Sequence, residues 1–188
     1  MRRFWRRGSW YSWLMFADLF ETSRLLLRPI TADDTDAVFE GYAQDSVVCR
    51  FLIWRPHTSI AETRDFIARC LEASSSRTYA MIEREGGRLI GCLDLRREAP
   101  HRIGFGYVLA RPWWGVRLMT EALSEIVAWS LRQDGVWRVG AVCDVGNLAS
   151  ARVMEKAGLV REGVLKRWLV HPNLGSEPRN CFSYVAVR

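Results

Sequence analysis

From Thr78 to Leu109 the chain reads as three strands in direct succession, and no other stretch limits the possible folds as much. Residues 78–85 (TYAMIERE) and 88–96 (RLIGCLDLR) flank Gly86-Gly87. Two such runs joined by a glycine pair signal a β-hairpin, because the tight turn needs backbone angles that glycine adopts freely. Residues 103–109 (IGFGYVL) extend the hairpin into a meander. Gly104 and Gly106 within them leave room for another backbone or a ligand to come close.

Helices are predicted on both sides of this meander. Residues 24–29 (RLLLRP) form a short strand stopped by Pro29, after which Thr31 caps a helix. Asp33 and Asp34 fall in its first turn, where the dipole favours anions, and Ala37, Val38 and Tyr42 follow at helical spacing. Residues 51–56 are apolar and aromatic until Pro56-His57-Thr58-Ser59 breaks them. Thr58 or Ser59 then caps a helix over 60–74 with Ile60, Phe66, Ile67 and Leu71 as its buried face.

After the meander, 111–115 is a turn and 120–133 a strong helix with Ala122, Leu123, Ile126, Val127 and Ser130 on its inward stripe. A strand over 136–143, a turn at Asn147, and a helix over 148–157 ended by Gly158 come next. Strands near 165–170 and 181–187 finish the chain. This order predicts one α+β domain with a mixed sheet.

Bulk composition excludes other classes. The 188 residues are 49% hydrophobic and 26% charged, enough for one cored domain. No stretch approaches the roughly 20 apolar residues that span a bilayer. The net charge of +6 rests on 25 Arg and only 2 Lys, a bias that reads as coding preference more than as an anion-binding surface. No helix-turn-helix, zinc-finger or RRM signature accompanies it, so nucleic acid is not an expected partner. Cys49, Cys70, Cys92, Cys143 and Cys181 are spread without a CxxC pair, and the three His are scattered. No metal is therefore expected, and the thiols read as buried and free in a reducing cytoplasm.

Residues 1–20 stand apart as a basic, aromatic extension with four Arg and three Trp, ahead of a domain over 21–188. Ser12 breaks their apolar run, and no small-residue cleavage site follows, so a signal peptide is not expected. Three readings stay open: a helix packed on the domain or a partner, an interfacial helix on an anionic membrane surface, and a loose tail.

Two segments carry chemistry. In 104–120 a strand enters Trp113-Trp114-Gly115 and then a helix, whose free N-terminal N–H groups and positive dipole end suit a pyrophosphate. In 147–159 (NLASARVMEKAGL) Asn147 lies just past a strand end and Ser150 in the first helical turn. Taken alone, Asn147 is a turn former and Ser150 a cap.

Taken together, several segments resemble the GNAT N-acetyltransferases, and within them the RimJ/RimL-like group. NLASARVMEKAGLVREG is similar to that group's Asn-x-x-Ser…Glu-Lys-x-Gly-Phe…Glu-Gly segment. ETSRLLLRP is similar to its opening strand, WRPHTSIAETRDFI to its Trp-x-Pro-His helix start, and GYVLARPWWGVRLMTEAL to its acetyl-CoA loop and following helix. The resemblance covers about residues 21–188. It implies a mixed, mostly antiparallel sheet flanked by helices, with a splayed pair of parallel strands.

It also implies acetyl-CoA as cosubstrate and direct attack by a neutral primary amine on a thioester polarised by a backbone N–H. Tyr107, Val108 and Leu109 would pair with the pantetheine arm, and Trp114, Gly115, Val116, Arg117, Leu118, Met119 and Thr120 would border the pyrophosphate. Asn147 would bond the pantetheine or a water, and Ser150 would give a proton to the leaving thiolate. Catalysis would thus rest on Ser150 and Asn147.

The sequence departs from the group in two places. Its loop pattern Gln/Arg-x-x-Gly-x-Gly/Ala meets Pro112, Gly115 and Arg117 here, which leaves two outcomes open: the guanidinium swings out and pairs with a phosphate, the favoured one, or it fills the site and weakens cofactor binding. Relatives often carry a carboxylate two residues before the Gly-Tyr of the central strand, where this chain has Gly104; Asp94 and Glu98 on or near a neighbouring strand are weak candidates for the base, since such residues are more often simply solvated. Glu121 and Glu155 read as scaffold. The acceptor, a protein α-amino group or a small amine, would meet walls around Trp54 to His57, Trp168 and 171–178. A GNAT-fold acyl-CoA-binding module with weak or lost catalysis is the second reading, and a homodimer is left open.

Overall fold

The computed structural model describes residues 16–188; the N-terminal extension up to residue 15 lies outside the described residues. Eight strands make one sheet in the order β1-β2-β3-β4-β5-β6-β8-β7. Their ranges are β1 Phe20–Glu21, β2 Leu25–Pro29, β3 Ser76–Glu83, β4 Leu89–Ala99, β5 Arg102–Leu109, β6 Arg138–Asp144, β7 Val160–Leu169 and β8 Arg179–Val187. The helices are α1 Thr35–Val38, α2 Ser46–Cys49, α3 Ile60–Glu72, α4 Leu118–Arg132 and α5 Leu148–Lys156, and a π-type turn at Phe39–Ala43 continues α1. No helix among the described residues is long and apolar enough to cross a membrane.

The meander forms as predicted, with β3 and β4 antiparallel and β4 and β5 antiparallel. Its period-2 pattern sends Tyr79, Met81, Leu93, Leu95, Ile103 and Phe105 into one buried cluster with α4 and α5, while Ala80 and Cys92 join a second cluster with α1 and α3 on the opposite face. Ala122, Leu123, Ile126, Val127 and Ser130 of α4 are all buried, as their spacing requires. Gly158 ends α5 in the left-handed region, at φ 90°.

Three expectations need correction. The sheet starts inside the presumed extension: Phe20 belongs to β1 and packs edge-on against Tyr79 and Trp129 at 5.1 and 5.3 Å. Phe16 and Ala17 lie on the same cluster, so these last residues belong with the packed body. Leu71 of α3 is exposed, because the helix turns Thr63 and Ile67 to the sheet instead. Helix α4 begins at Leu118, two residues earlier than its apolar period suggests, since Arg117 already accepts the first helical hydrogen bond from Glu121.

Only β5 and β6 are parallel neighbours, and they stay paired from Arg102 opposite Arg138 to Gly104 opposite Gly140. Beyond that rung β6 continues with β8 and β5 with β4. The strands part there and open a gap in the middle of the sheet.

Candidate active site

The gap is bordered by the outer half of β5. Backbone groups of successive strand residues alternate sides. The Ala110 N–H goes to Ile90 O on β4, so the odd-numbered residues of β5 turn theirs toward the gap. Two carbonyls of that set already have protein donors: Phe105 O accepts from Arg96 Nη2 at 3.0 Å, and Leu109 O accepts from the Trp114 indole at 2.7 Å. The Tyr107 peptide between them is left for an extended ligand. Side-chain volume leaves little choice of contact further on, because Leu109, Leu118 and Met119 are buried in the core and offer only backbone to a ligand.

The turn after β5 presents a helix N-terminus. Gly115 takes φ 80°, and Arg117 takes φ 67° as the residue before α4. A non-glycine residue in this region is uncommon and strained by about 1 kcal/mol. Val116, Arg117, Trp114 and Gly115 are exposed, Thr120 is half-buried, and the first N–H groups of α4 have no acceptor among the described residues.

The turn is held from behind by Glu121. Its carboxylate accepts from Ser23 Oγ at 3.0 Å, the Arg24 N–H at 2.9 Å and Arg24 Nε at 2.8 Å, while Arg24 Nη1 reaches Val116 O at 3.0 Å. Burial alone would raise the Glu121 carboxyl, but hydrogen bonds from Thr22, Arg24 and Ser23 outweigh it and hold the carboxyl down at about 2. An unmatched anion-binding end beside a rigid clamp fits a diphosphate.

Across the gap, β6 ends at Asp144 and the chain turns into α5. Asn147 caps that helix, its Oδ1 accepting from the Ser150 N–H at 3.2 Å. Ser150 Oγ sits 2.7 Å from the Tyr107 hydroxyl, which also donates to Ser150 O at 3.3 Å. Burial pushes the Tyr107 phenol well above its usual range, so it stays protonated and can supply or relay a proton. Burial likewise pushes the Cys143 thiol beneath this pair up to about 12, leaving no thiolate nucleophile.

The opposite face of the gap is charged. The space beside Gly104 and Gly106 holds side chains of β4: Arg96 lies against Gly106, and the Glu98 carboxylate lies on Gly104. Asp94 accepts from Thr78 Oγ1 at 3.2 Å and from Arg96 at 2.8 Å. Further along, Asp144 is fully buried and accepts from Arg179 Nε at 2.5 Å, Arg179 Nη2 at 3.1 Å and the Gly146 N–H at 2.8 Å. Burial alone would raise its carboxyl, yet the Arg179 and Gly146 bonds win and hold it below the ordinary range. His171 is 2% exposed with Nε2 3.7 Å from Asp144, too far to bond, and neither ring nitrogen has a partner among the described residues. Asn173 ties this late loop to the carbonyls of Cys49 and Trp54, at 2.6 and 2.8 Å.

The structure thus brings Tyr107, Asn147 and Ser150 together, with Val108, Leu109 and the 114–120 turn around the same gap. Sequence reasoning missed the Tyr107–Ser150 hydrogen bond, the Trp114 lock and the ion pair between buried Asp144 and partly exposed Arg179. Each joins residues whose separation in the chain carries no spacing signal.

A family model described as an acetyltransferase (GNAT) domain matches residues 24–160. An uncharacterized N-acetyltransferase of Bacillus subtilis, YoaA, is 29% identical over 175 residues, covering 90% of this chain and 98% of its own. Among solved structures, a GNAT-family acetyltransferase from Bacillus anthracis superposes with a TM-score of 0.80 at 25% identity, over 90% of this chain and 98% of that one. RimL, a ribosomal L7/L12 alpha-N-protein acetyltransferase in complex with coenzyme A, superposes with a TM-score of 0.77 at 20% identity, over 88% and 95%.

Proposed function

The chain belongs to the acetyltransferase (GNAT) family, and on that premise we propose that it moves the acetyl group of acetyl-CoA to a primary amine by direct attack. The observation that carries this reading is the Tyr107–Ser150 pair, 2.7 Å apart on one side of the gap between β5 and β6. A hydroxyl hydrogen-bonded to a buried, protonated phenol is a proton source, which a departing thiolate needs. The free Tyr107 peptide suits the pantetheine arm, with a strand N–H to polarise the thioester carbonyl. Backbone N–H groups of the 114–120 turn would hold the pyrophosphate, and Arg117 would add a charge-assisted bond. Asn147 has its amide Nδ2 left to bond the arm, since its oxygen already caps α5. Attack is direct, so no covalent enzyme intermediate forms.

RimL acts on a protein N-terminus by its name, and a protein α-amino group or a small amine is the acceptor class proposed here. Thiol release from acetyl-CoA in the presence of Ala- and Ser-starting peptides and of a polyamine tests the reading. Turnover of at least one of them supports it. Tight acetyl-CoA binding without turnover of any would favour a binding module instead.

A further inference from the structure

We propose that Glu98 takes the proton from the acceptor's ammonium, reaching the reaction site from β4 through the space that Gly104 leaves in β5. The inference rests on the acetyl-transfer reading above and adds the group that the amine needs. The acceptor's ammonium, with a pKa of about 8 for a protein α-amino group and about 10 for an alkyl amine, must be neutral before it can attack.

Three observations place Glu98 in this role. The β4–β5 ladder slips between Arg97 and Ala99, which makes Glu98 the extra residue of a β-bulge. Bulges re-aim side chains, and here the side chain swings across to the next strand. A Cβ added at Gly104 would meet the Glu98 Cδ at 2.6 Å and Cγ at 3.1 Å, so the carboxylate occupies the place where a side chain at 104 would begin. Gly104 opposite Gly140 is also the last rung before β5 and β6 part. The carboxylate therefore sits at the vertex of the gap.

Strand alternation puts Gly104 on the face opposite Phe105 and Tyr107. Glu98 and the Tyr107–Ser150 pair thus flank the gap from opposite faces, with a proton acceptor on one and a proton donor on the other. The other carboxylates of the Glu98 face are committed. Asp94 is bonded by Thr78 and Arg96, and Asp144 by Arg179 and Gly146. Glu98 has an ion pair from Arg102 Nε to Oε2 at 2.9 Å and feels the charge of Arg138 on β6, which is itself bonded to Glu162; its side chain is 39% exposed, and Oε1 accepts no hydrogen bond among the described residues.

The proton count closes. The ammonium gives one proton to Glu98 Oε1, and Glu98 passes it to bulk water through its exposed edge. The neutral amine forms the C–N bond, the C–S bond breaks, and the sulfur takes a proton from Ser150. The second nitrogen proton, shed as the amide forms, replaces the one Ser150 gave.

The test uses the full chain, acetyl-CoA and the same peptides and polyamine, with Glu98→Gln read as kcat/KM from about pH 6 to about pH 10. The expected result is a loss of about 100-fold near neutrality that shrinks as pH rises and solution supplies the free amine, with acetyl-CoA affinity unchanged. Asp94→Asn should keep the wild-type pH profile. In Glu98→Ala/Gly104→Glu, the carboxylate returns from its own strand, and activity should recover about tenfold over Glu98→Ala. Activity of Glu98→Gln within about twofold of wild type, or a loss equal at every pH, overturns the proposal. If the wild type binds acetyl-CoA and acetylates no amine, the acetyl-transfer reading falls first and Glu98 with it, a result that the wild type alone reveals.

Discussion

The two faces of the gap differ in how their polar groups are employed. On the α4–α5 face the side chains that line the gap are partnered within the protein: Tyr107 with Ser150, the Asn147 oxygen with the α5 N-terminus, the Trp114 indole with Leu109 O, Glu121 with Ser23 and Arg24. What stays free there, among the described residues, is the first N–H groups of α4 and the Arg117 guanidinium. On the other face capacity is left over. Glu98 Oε1 and both nitrogens of His171 lack hydrogen-bond partners among the described residues. For the buried His171 an unpartnered donor or acceptor costs about 1–3 kcal/mol, so something other than stability retains it, whereas the partly exposed Glu98 can still meet water. On the acetyl-transfer reading proposed above, the pre-satisfied side would handle the one constant cosubstrate and the side with unspent polar capacity would meet the acceptor.

The largest expected effect tests whether the second face nevertheless has one structural anchor. Asp144→Ala leaves Arg179 and the Gly146 N–H without their acceptor and opens a hole beside His171. A loss of about 3 kcal/mol is expected, discounted from a fully buried pair because Arg179 is partly exposed. The midpoint of urea unfolding measures it. A change under about 0.5 kcal/mol would mean that the face is loose throughout and that the contrast with the other side is greater than drawn.

Ser150→Ala strikes the partnered face. Removing the hydroxyl should lower kcat about 100-fold and leave the acetyl-CoA Kd nearly unchanged, since the proton matters only as the C–S bond breaks. Tyr107→Phe should cost less, because Ser150 keeps its own proton. Equal losses in kcat and in cofactor affinity would recast Ser150 as a binding group.

The same division decides what the sequence could disclose. The meander, α4 and α5 were legible because glycine turns and apolar periods are local signals, whereas Tyr107, Gly115, Asn147 and Ser150 were gathered as one site only by the family resemblance of their segments. The roles of Gly104 and Gly106 were half legible. Their small size signalled close approach, but the visitors are β4 side chains: Arg96 at Gly106, and at Gly104 Glu98, re-aimed by a bulge 6 residues away. Leu71 was misjudged because helical spacing fixes a stripe and not which stripe meets the sheet. His171 and Asp144 lie 27 residues apart, and nothing local in either segment announces their meeting.

Acid tests the clamp behind the 114–120 turn. The folded Glu121 carboxyl is held at about 2, below the ordinary value of about 4.3. A depressed folded value means stability that is present above the unfolded pKa and lost as pH falls toward the folded one. The window therefore runs from about pH 4.5 down to about pH 2, and the contribution is about 1 kcal/mol after solvent screening. Glu121→Gln should lower Tm at pH 7 and flatten the Tm-versus-pH curve in that window. An unchanged slope would transfer the acid sensitivity to the other face, where Asp144 is also depressed.

The smallest effect comes from Arg117, where two consequences of one substitution pull in opposite directions. Its φ of 67° is strained for any residue with a Cβ, and glycine relieves that strain. Glycine also loosens the unfolded chain, so the net gain in stability should be a few tenths of a kcal/mol. The exposed guanidinium has no ion-pair partner among the described residues and stands at the free N-terminus of α4. Its loss should weaken acetyl-CoA binding about threefold, and the difference should vanish in high salt as the charges are screened. Weaker binding with equal or better stability would mean that the strain is retained for the phosphate. Tighter binding would mean that Arg117 obstructs the turn, and the face that handles the cosubstrate would then hold a misfit of its own.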